Sequence, residues 1–171
     1  MNAEKLRADV PALESCTYFN TGASGPNPRH VVGAATDFLE RHAFEAPAGE
    51  GPYTVAFDAL EAARETVAAH VGAEPHEIAL TRSTADGVNL VAGAIDFQPG
   101  DVVVRTDLEH PAGTLPWDRL ADVCGIEVRV VETTDGRLDL DDLKAAVDGA
   151  RLVALSSLTW THGTRLPISE V

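Results

Sequence analysis

Arg82-Ser83-Thr84-Ala85-Asp86 sets a guanidinium, two hydroxyls and a carboxylate just ahead of an apolar-periodic segment, Val88, Val91, Ala92 and Ile95. The periodicity predicts a helix, and the preceding Ile78-Ala79-Leu80 reads as a short buried strand. A helix start carries unpaired backbone N–H groups and about half a positive charge, so it can hold an anion, typically phosphate. The hydroxyls of Ser83 and Thr84 and the side chain of Arg82 could add donors. The same residues also suit a plain N-cap, and Asp86 in the first turn competes for the same field. No G-x-G-x-x-G and no lysine-bearing phosphate loop lies nearby, so the usual dinucleotide and nucleoside-triphosphate signatures are missing. Two further polar stretches, Glu109-His110 and Thr159 to Thr164, also follow apolar runs.

The elements that must position these residues are readable from punctuation. Residues 1–17 look like an amphipathic arm, with Leu6, Val10 and Leu13 as its apolar points. Tyr18-Phe19 reads as the start of a short strand, and Asn20 to Pro28 as a loop rich in Gly and Pro. Helices are expected after Pro28 and over about Tyr53 to Val71, the second stopped by Gly72. From Ile78 onward the pattern is strand, helix, strand, helix, strand, helix, strand. The later strands are Val102–Val104, Ile126–Val131 and Leu152–Leu155. Gly125 stops one helix and Asp139 caps the next. These strands are continuous apolar runs, which predicts an α/β fold with a mostly parallel sheet covered by helices. Ligands in such sheets sit beyond the C-terminal strand ends, where the three polar stretches fall, so one anion or cofactor site on that rim is expected.

Composition narrows the class. Hydrophobic residues make up 44% and charged residues 23% of 171, ordinary for one globular chain or a piece of a larger one. Asp plus Glu number 27 against 13 Lys plus Arg, a formal net charge of -14 spread along the chain. Such a surface repels nucleic acid and anionic lipid, and resembles surfaces adapted to high salt. Cys16 and Cys124 suggest neither a disulfide framework nor a metal site, and no signal peptide or spanning segment is apparent, so a cytoplasmic chain without metal is expected.

Four stretches resemble the class V aminotransferase family, the group containing cysteine desulfurases, within fold type I of the pyridoxal-phosphate enzymes. They are Tyr18-Phe19-Asn20-Thr21-Gly22-Ala23, Leu80 through Ala92, Asp107 through Trp117, and Gly163 through Ile168. The resemblance covers nearly the whole chain. It implies pyridoxal 5′-phosphate as cofactor, with Ser83, Thr84 and Ala85 holding the phosphate and His110 stacking on the pyridine ring. Asn20, Thr21, Gly22 and Ala23 would line the substrate side, for an amino-acid substrate. It also implies a division into residues 1–77, an arm and helical segment, and residues 78–171, the first part of the cofactor-binding large domain.

Two departures from the family pattern carry weight. Trp160 stands where cysteine desulfurases usually have an asparagine, which looks more like the isopenicillin-N-epimerase-like branch. It would pack over the cofactor or substrate, or fill the core. Sulfur transfer is thereby disfavoured, with transamination, epimerisation or lyase chemistry open. Family chains also run well over twice this length, and their Schiff-base lysine comes later. Neither Lys5 nor Lys144 matches it, so no catalytic residue is assigned and an N-terminal portion inactive alone is expected. A homodimer or a complementing C-terminal chain would complete it. The competing function is a non-catalytic binding module that keeps the fold. A hydrolase built on Ser83 or Cys124 is weaker, since no G-x-S-x-G surrounds Ser83.

Overall fold

The computed structural model describes residues 2–170; Met1 and Val171 lie outside the described residues. It divides into two compact units that meet in sequence between Leu80 and Thr81.

The first unit is helical. Helix α1, Ala3–Asp9, is capped by the Asn2 side chain, which accepts from the Lys5 N–H at 2.8 Å. Val10 beyond it is buried, as its place on the arm's apolar stripe predicts. Asp9 pairs with His30 at the start of α2, Arg29–Glu40. That contact holds the Asp9 carboxyl below its ordinary range, chiefly through the His30 side-chain hydrogen bond. A π turn at Arg41–Glu45 and a 3-10 turn at Ala46–Ala48 follow α2. Helix α3, Pro52–Val71, opens on a proline, whose missing N–H would have no partner in the first turn anyway. It stops at Gly72, whose φ of 75° lies in the left-handed region where glycine carries no Cβ penalty.

Two expected strands in this unit are not formed. Ile78 is extended, but its carbonyl accepts from the Arg64 guanidinium rather than from a neighbouring strand. Tyr18 and Phe19 likewise have no ladder partner; Phe19 is 93% exposed, and the Tyr18 hydroxyl donates to the Ser24 carbonyl, closing the loop on itself. Apolar type marks a segment as suited to a sheet, but a strand exists only where a second backbone supplies the hydrogen bonds.

The second unit is the α/β part. Helix α4, Thr84–Ala94, precedes β1, Val102–Thr106; α5, Pro111–Cys124; β2, Glu127–Val131; α6, Leu140–Val147; and β3, Leu152–Ala154. The strands form one parallel sheet in the order β2-β1-β3, with Val103 opposite both Val128 and Leu152. The chain therefore moves one way across the sheet from β1 to β2 and the other way from β2 to β3. Right-handed crossovers then put the two connecting helices on opposite faces.

The core follows that rule. Val103 packs with Ala92, Phe97, Trp117 and Ile126 on the face covered by α4 and α5. Val102 and Val104 pack with Val131 and Leu143 on the face covered by α6. Gly125, at φ 72°, ends α5, and the Asp139 side chain caps α6 by accepting from the Asp141 N–H at 2.8 Å. No helix among the described residues is long and apolar enough to cross a membrane, and no group of three or more His, Cys, Asp or Glu among them is placed to hold a metal ion.

Candidate functional site

The α4 start settles which of its groups are free. Ser83 is the N-cap, its hydroxyl oxygen accepting from the Asp86 N–H at 3.1 Å. Asp86 accepts in turn from the Arg82 backbone N–H and from its guanidinium, at 3.3 and 3.4 Å. These bonds hold the Asp86 carboxyl below its ordinary range, first through the Arg82 side chain and then through its backbone. The acid that would compete with an anion is thus matched by a cation four residues before it. The backbone N–H groups of Thr84 and Ala85 have no acceptor among the described residues, and the Thr84 hydroxyl has no partner there either. Ser83 serves the helix as a cap, while the next two residues present open donors.

The β1–α5 and post-β3 loops bring His110 and Trp160 together. Their ring centroids lie 5.1 Å apart with the planes at 80°, an edge-to-face arrangement favoured by aromatic quadrupoles. His110 is also the N-cap of α5: its Nδ1 accepts from the Ala112 N–H at 3.1 Å. That bond fixes the ring plane and leaves Nε2 as the protonated nitrogen of the neutral ring. Trp160 is 62% exposed, so it is not the core filler that was one expectation for it.

Glu109 and Thr159, from the two polar stretches, anchor the loops of this pair together with Thr106 and Ser156, which the sequence did not single out. Glu109 Oε1 accepts from the Thr106 hydroxyl at 3.1 Å and from the Ser156 N–H at 3.0 Å, and Oε2 accepts from the Ser156 hydroxyl at 2.6 Å. Thr159 is buried, and its hydroxyl oxygen accepts from the Thr164 N–H at 3.0 Å, tightening the loop that carries Trp160. His162 lies over Gly136 in the β2–α6 turn, so closely that a Cβ there would sit 2.5 Å from His162 Cγ. An open hollow of about 610 Å³ beside that turn is lined by Thr134, Asp135, Arg137, Leu138 and Asp139. It contains none of the expected site residues.

Asn20, Thr21, Gly22 and Ala23 form an exposed turn of the first unit, with the Asn20 carbonyl accepting from the Ala23 and Ser24 N–H groups at 3.1 and 3.2 Å. Lys144 lies on α6 with its side chain 65% exposed and paired with Asp141 at 3.7 Å; Lys5 lies on α1.

Several known proteins are similar to this chain over nearly all of its length. A probable cysteine desulfurase of Methanothermobacter thermautotrophicus is 35% identical over 176 residues, covering 100% of this chain and 43% of that protein. A cysteine desulfurase of Pectobacterium atrosepticum is 36% identical over 183 residues, covering 98% of this chain and 44% of its own length. The solved apo cysteine desulfurase of Thermococcus onnurineus NA1 superposes with a TM-score of 0.88 at 31% identity, over 99% of this chain and 44% of that one. A C-DES variant solved with glycine covalently linked to its PLP cofactor superposes with a TM-score of 0.87 at 27% identity, over 96% of this chain. The chain thus spans less than half the length of these relatives. The family described as aminotransferase class-V matches residues 17–171, and the chain belongs to that family.

Proposed function

We propose that this chain supplies the phosphate-holding and ring-holding part of a pyridoxal-phosphate site that acts on an amino acid. The observation that carries this is the pairing of two features in one unit: open donors at the α4 start, and a plane-fixed imidazole at the α5 start with an indole edge-on to it. The donor set suits the group. Thr84 and Ala85 would offer backbone N–H groups, and the Thr84 hydroxyl a further donor, to a phosphate at the positive end of an 11-residue helix. His110 would face the flat, electron-poor ring, and Trp160 would limit how that ring or its substrate can tilt. When bound, the cofactor supplies an electron sink for bonds breaking at an amino-acid α-carbon.

Asn20 to Ala23 are proposed to contact the substrate. The amine that would attach the cofactor covalently is proposed to come from outside this chain, because Lys144 faces solvent and is paired with Asp141. A second reading, a binding module without chemistry, is favoured by the same placement of the lysines. Cysteine desulfurases are prominent among the similar proteins, so carbon–sulfur bond cleavage stands beside transamination and epimerisation, and Trp160 is the residue on which the choice turns.

The test is equilibrium binding of pyridoxal 5′-phosphate to the full chain, with borohydride treatment and peptide mapping of the product. The expected result is saturable binding, weakened about tenfold or more in His110→Ala, an effect of roughly 1.4 kcal/mol of lost stacking. No stoichiometric adduct at Lys144 is expected. Binding that is indifferent to His110, or a stoichiometric reduced adduct on Lys144, would refute the proposal.

A further inference from the structure

Glu109 is half-buried, and its carboxylate meets three neutral donors and no cation within ion-pair reach among the described residues. One donor, Thr106, ends β1; the other two belong to Ser156, which follows β3. The residue after Glu109 is His110, and the loop from Ser156 leads within four residues to Trp160. The contact spans 47 positions in sequence and joins the two loops whose tips carry the facing rings. Hydrogen bonds to an ionised acceptor are shorter and stronger than neutral ones, and the 2.6 Å contact from the Ser156 hydroxyl is of that kind.

We infer that Glu109 is a positioning residue, setting the angle between His110 and Trp160 and so the grip of these two rings on a flat ligand. Among the described residues its hydrogen bonds go to Thr106 and Ser156 and to neither ring, so it acts by fixing where their loops depart from β1 and β3. This rests on the ring-holding role assigned to His110 above. A glutamine at this position has one acceptor oxygen where the carboxylate has two. Its NH₂ group cannot accept from the Ser156 hydroxyl, which must turn to receive an N–H instead, so the short charge-assisted contact gives way to a longer neutral one. Displacements of that size at a supporting residue are enough to loosen a site.

The geometry has its own readout in the absence of cofactor. The indole ring current shifts the His110 ring-proton resonances by an amount set by the distance and angle between the rings. In the full chain with isotope-labelled histidine, His110→Gln identifies those resonances by their loss, and Trp160→Leu measures the shift due to the indole. In Glu109→Gln that shift is expected to fall below half, and pyridoxal 5′-phosphate is expected to bind about tenfold more weakly. Ser156→Ala removes one of the three donors and is expected to give an intermediate loss; if Glu109→Gln does not fold, this variant decides the matter by the same two readouts. A shift retained in full in whichever of these variants folds overturns the positioning role. A shift lost while cofactor binding is unmoved sustains that role and counts against the cofactor reading, so the two fail separately.

Discussion

Gly136→Ala should be among the most disruptive single-methyl additions in the second unit. Gly136 and Asp135 form the centre of a tight turn closed by the Thr134 N–H to Arg137 carbonyl bond at 3.0 Å and its reciprocal at 2.9 Å. Both central residues have positive φ, 50° at Asp135 and 74° at Gly136, the signature of a type I′ turn. Alanine in the left-handed region costs about 1–2 kcal/mol, partly offset by a gain of about 0.4–1 kcal/mol from a stiffer unfolded chain. The new Cβ would also lie 2.5, 2.7 and 2.9 Å from His162 Cγ, Cβ and Cδ2. Those atoms sit close to the backbone and cannot swing aside as a side-chain tip could, so overpacking adds about 1–3 kcal/mol. Together these give a loss of about 1–5 kcal/mol, centred near 3. Urea unfolding of the full chain measures it, and a double-mutant cycle with His162→Ala separates the two causes. His162 is exposed, so His162→Ala alone should change stability by no more than about 0.5 kcal/mol. In the Gly136→Ala background it should restore the overpacking part, a coupling of about 1–3 kcal/mol. A loss below about 1 kcal/mol, or a cycle with no coupling, would show that the loop carrying Trp160 does not depend on this turn for its seat.

Three other perturbations probe separate parts of the molecule. Ser83→Ala removes the α4 cap and should lower stability by about 1 kcal/mol in urea unfolding, whereas Ser83→Gly should cost only a few tenths. Leu143 is 2% exposed on the α6 side of the sheet, so Leu143→Ala should cost about 2–5 kcal/mol, with loss of the native near-ultraviolet spectrum at lower urea. The Asp86 carboxyl is held below its ordinary range by Arg82, so its contribution is complete above the unfolded carboxylate range and is lost as pH falls through the lowered value. Asp86→Asn should therefore flatten part of the acid-side loss of stability, and high salt should shrink the difference because the Arg82 side chain is 89% exposed.

How much of this was legible in the sequence depended on how local each cause was. Gly72, Gly125 and Asp139 end or begin helices through their own backbone freedom or side chain, and all three act as expected. Val102 to Val104 are a buried strand because their apolar run is long enough to face helices on both sides. Ile78 to Leu80 and Tyr18-Phe19 show the same apolar types, but their pairing depends on another backbone, and composition does not specify one. Within the candidate site, Ser83 to Ala85, His110 and Trp160 were visible as polar or aromatic residues after apolar runs. Ser156, Thr106 and the seating of His162 on Gly136 were not, because each matters only through a partner brought close by the fold. A glutamate directly before His110 was the one available sign, and it did not name its partners.

The two-sided cladding of β1 also governs what the chain can tolerate. Val102 and Val104 belong to one hydrophobic layer and Val103 to the other, so the strand has no spare side. Inserting or deleting one residue between Asp101 and Val104 would exchange the layers' contents, placing each valine where the opposite packing surface waits. A sheet wet on one face could hide half of that error in solvent. Here the mistake would appear in both layers at once, and it would also carry Thr106 and the loop bearing His110 out of alignment with Ser156.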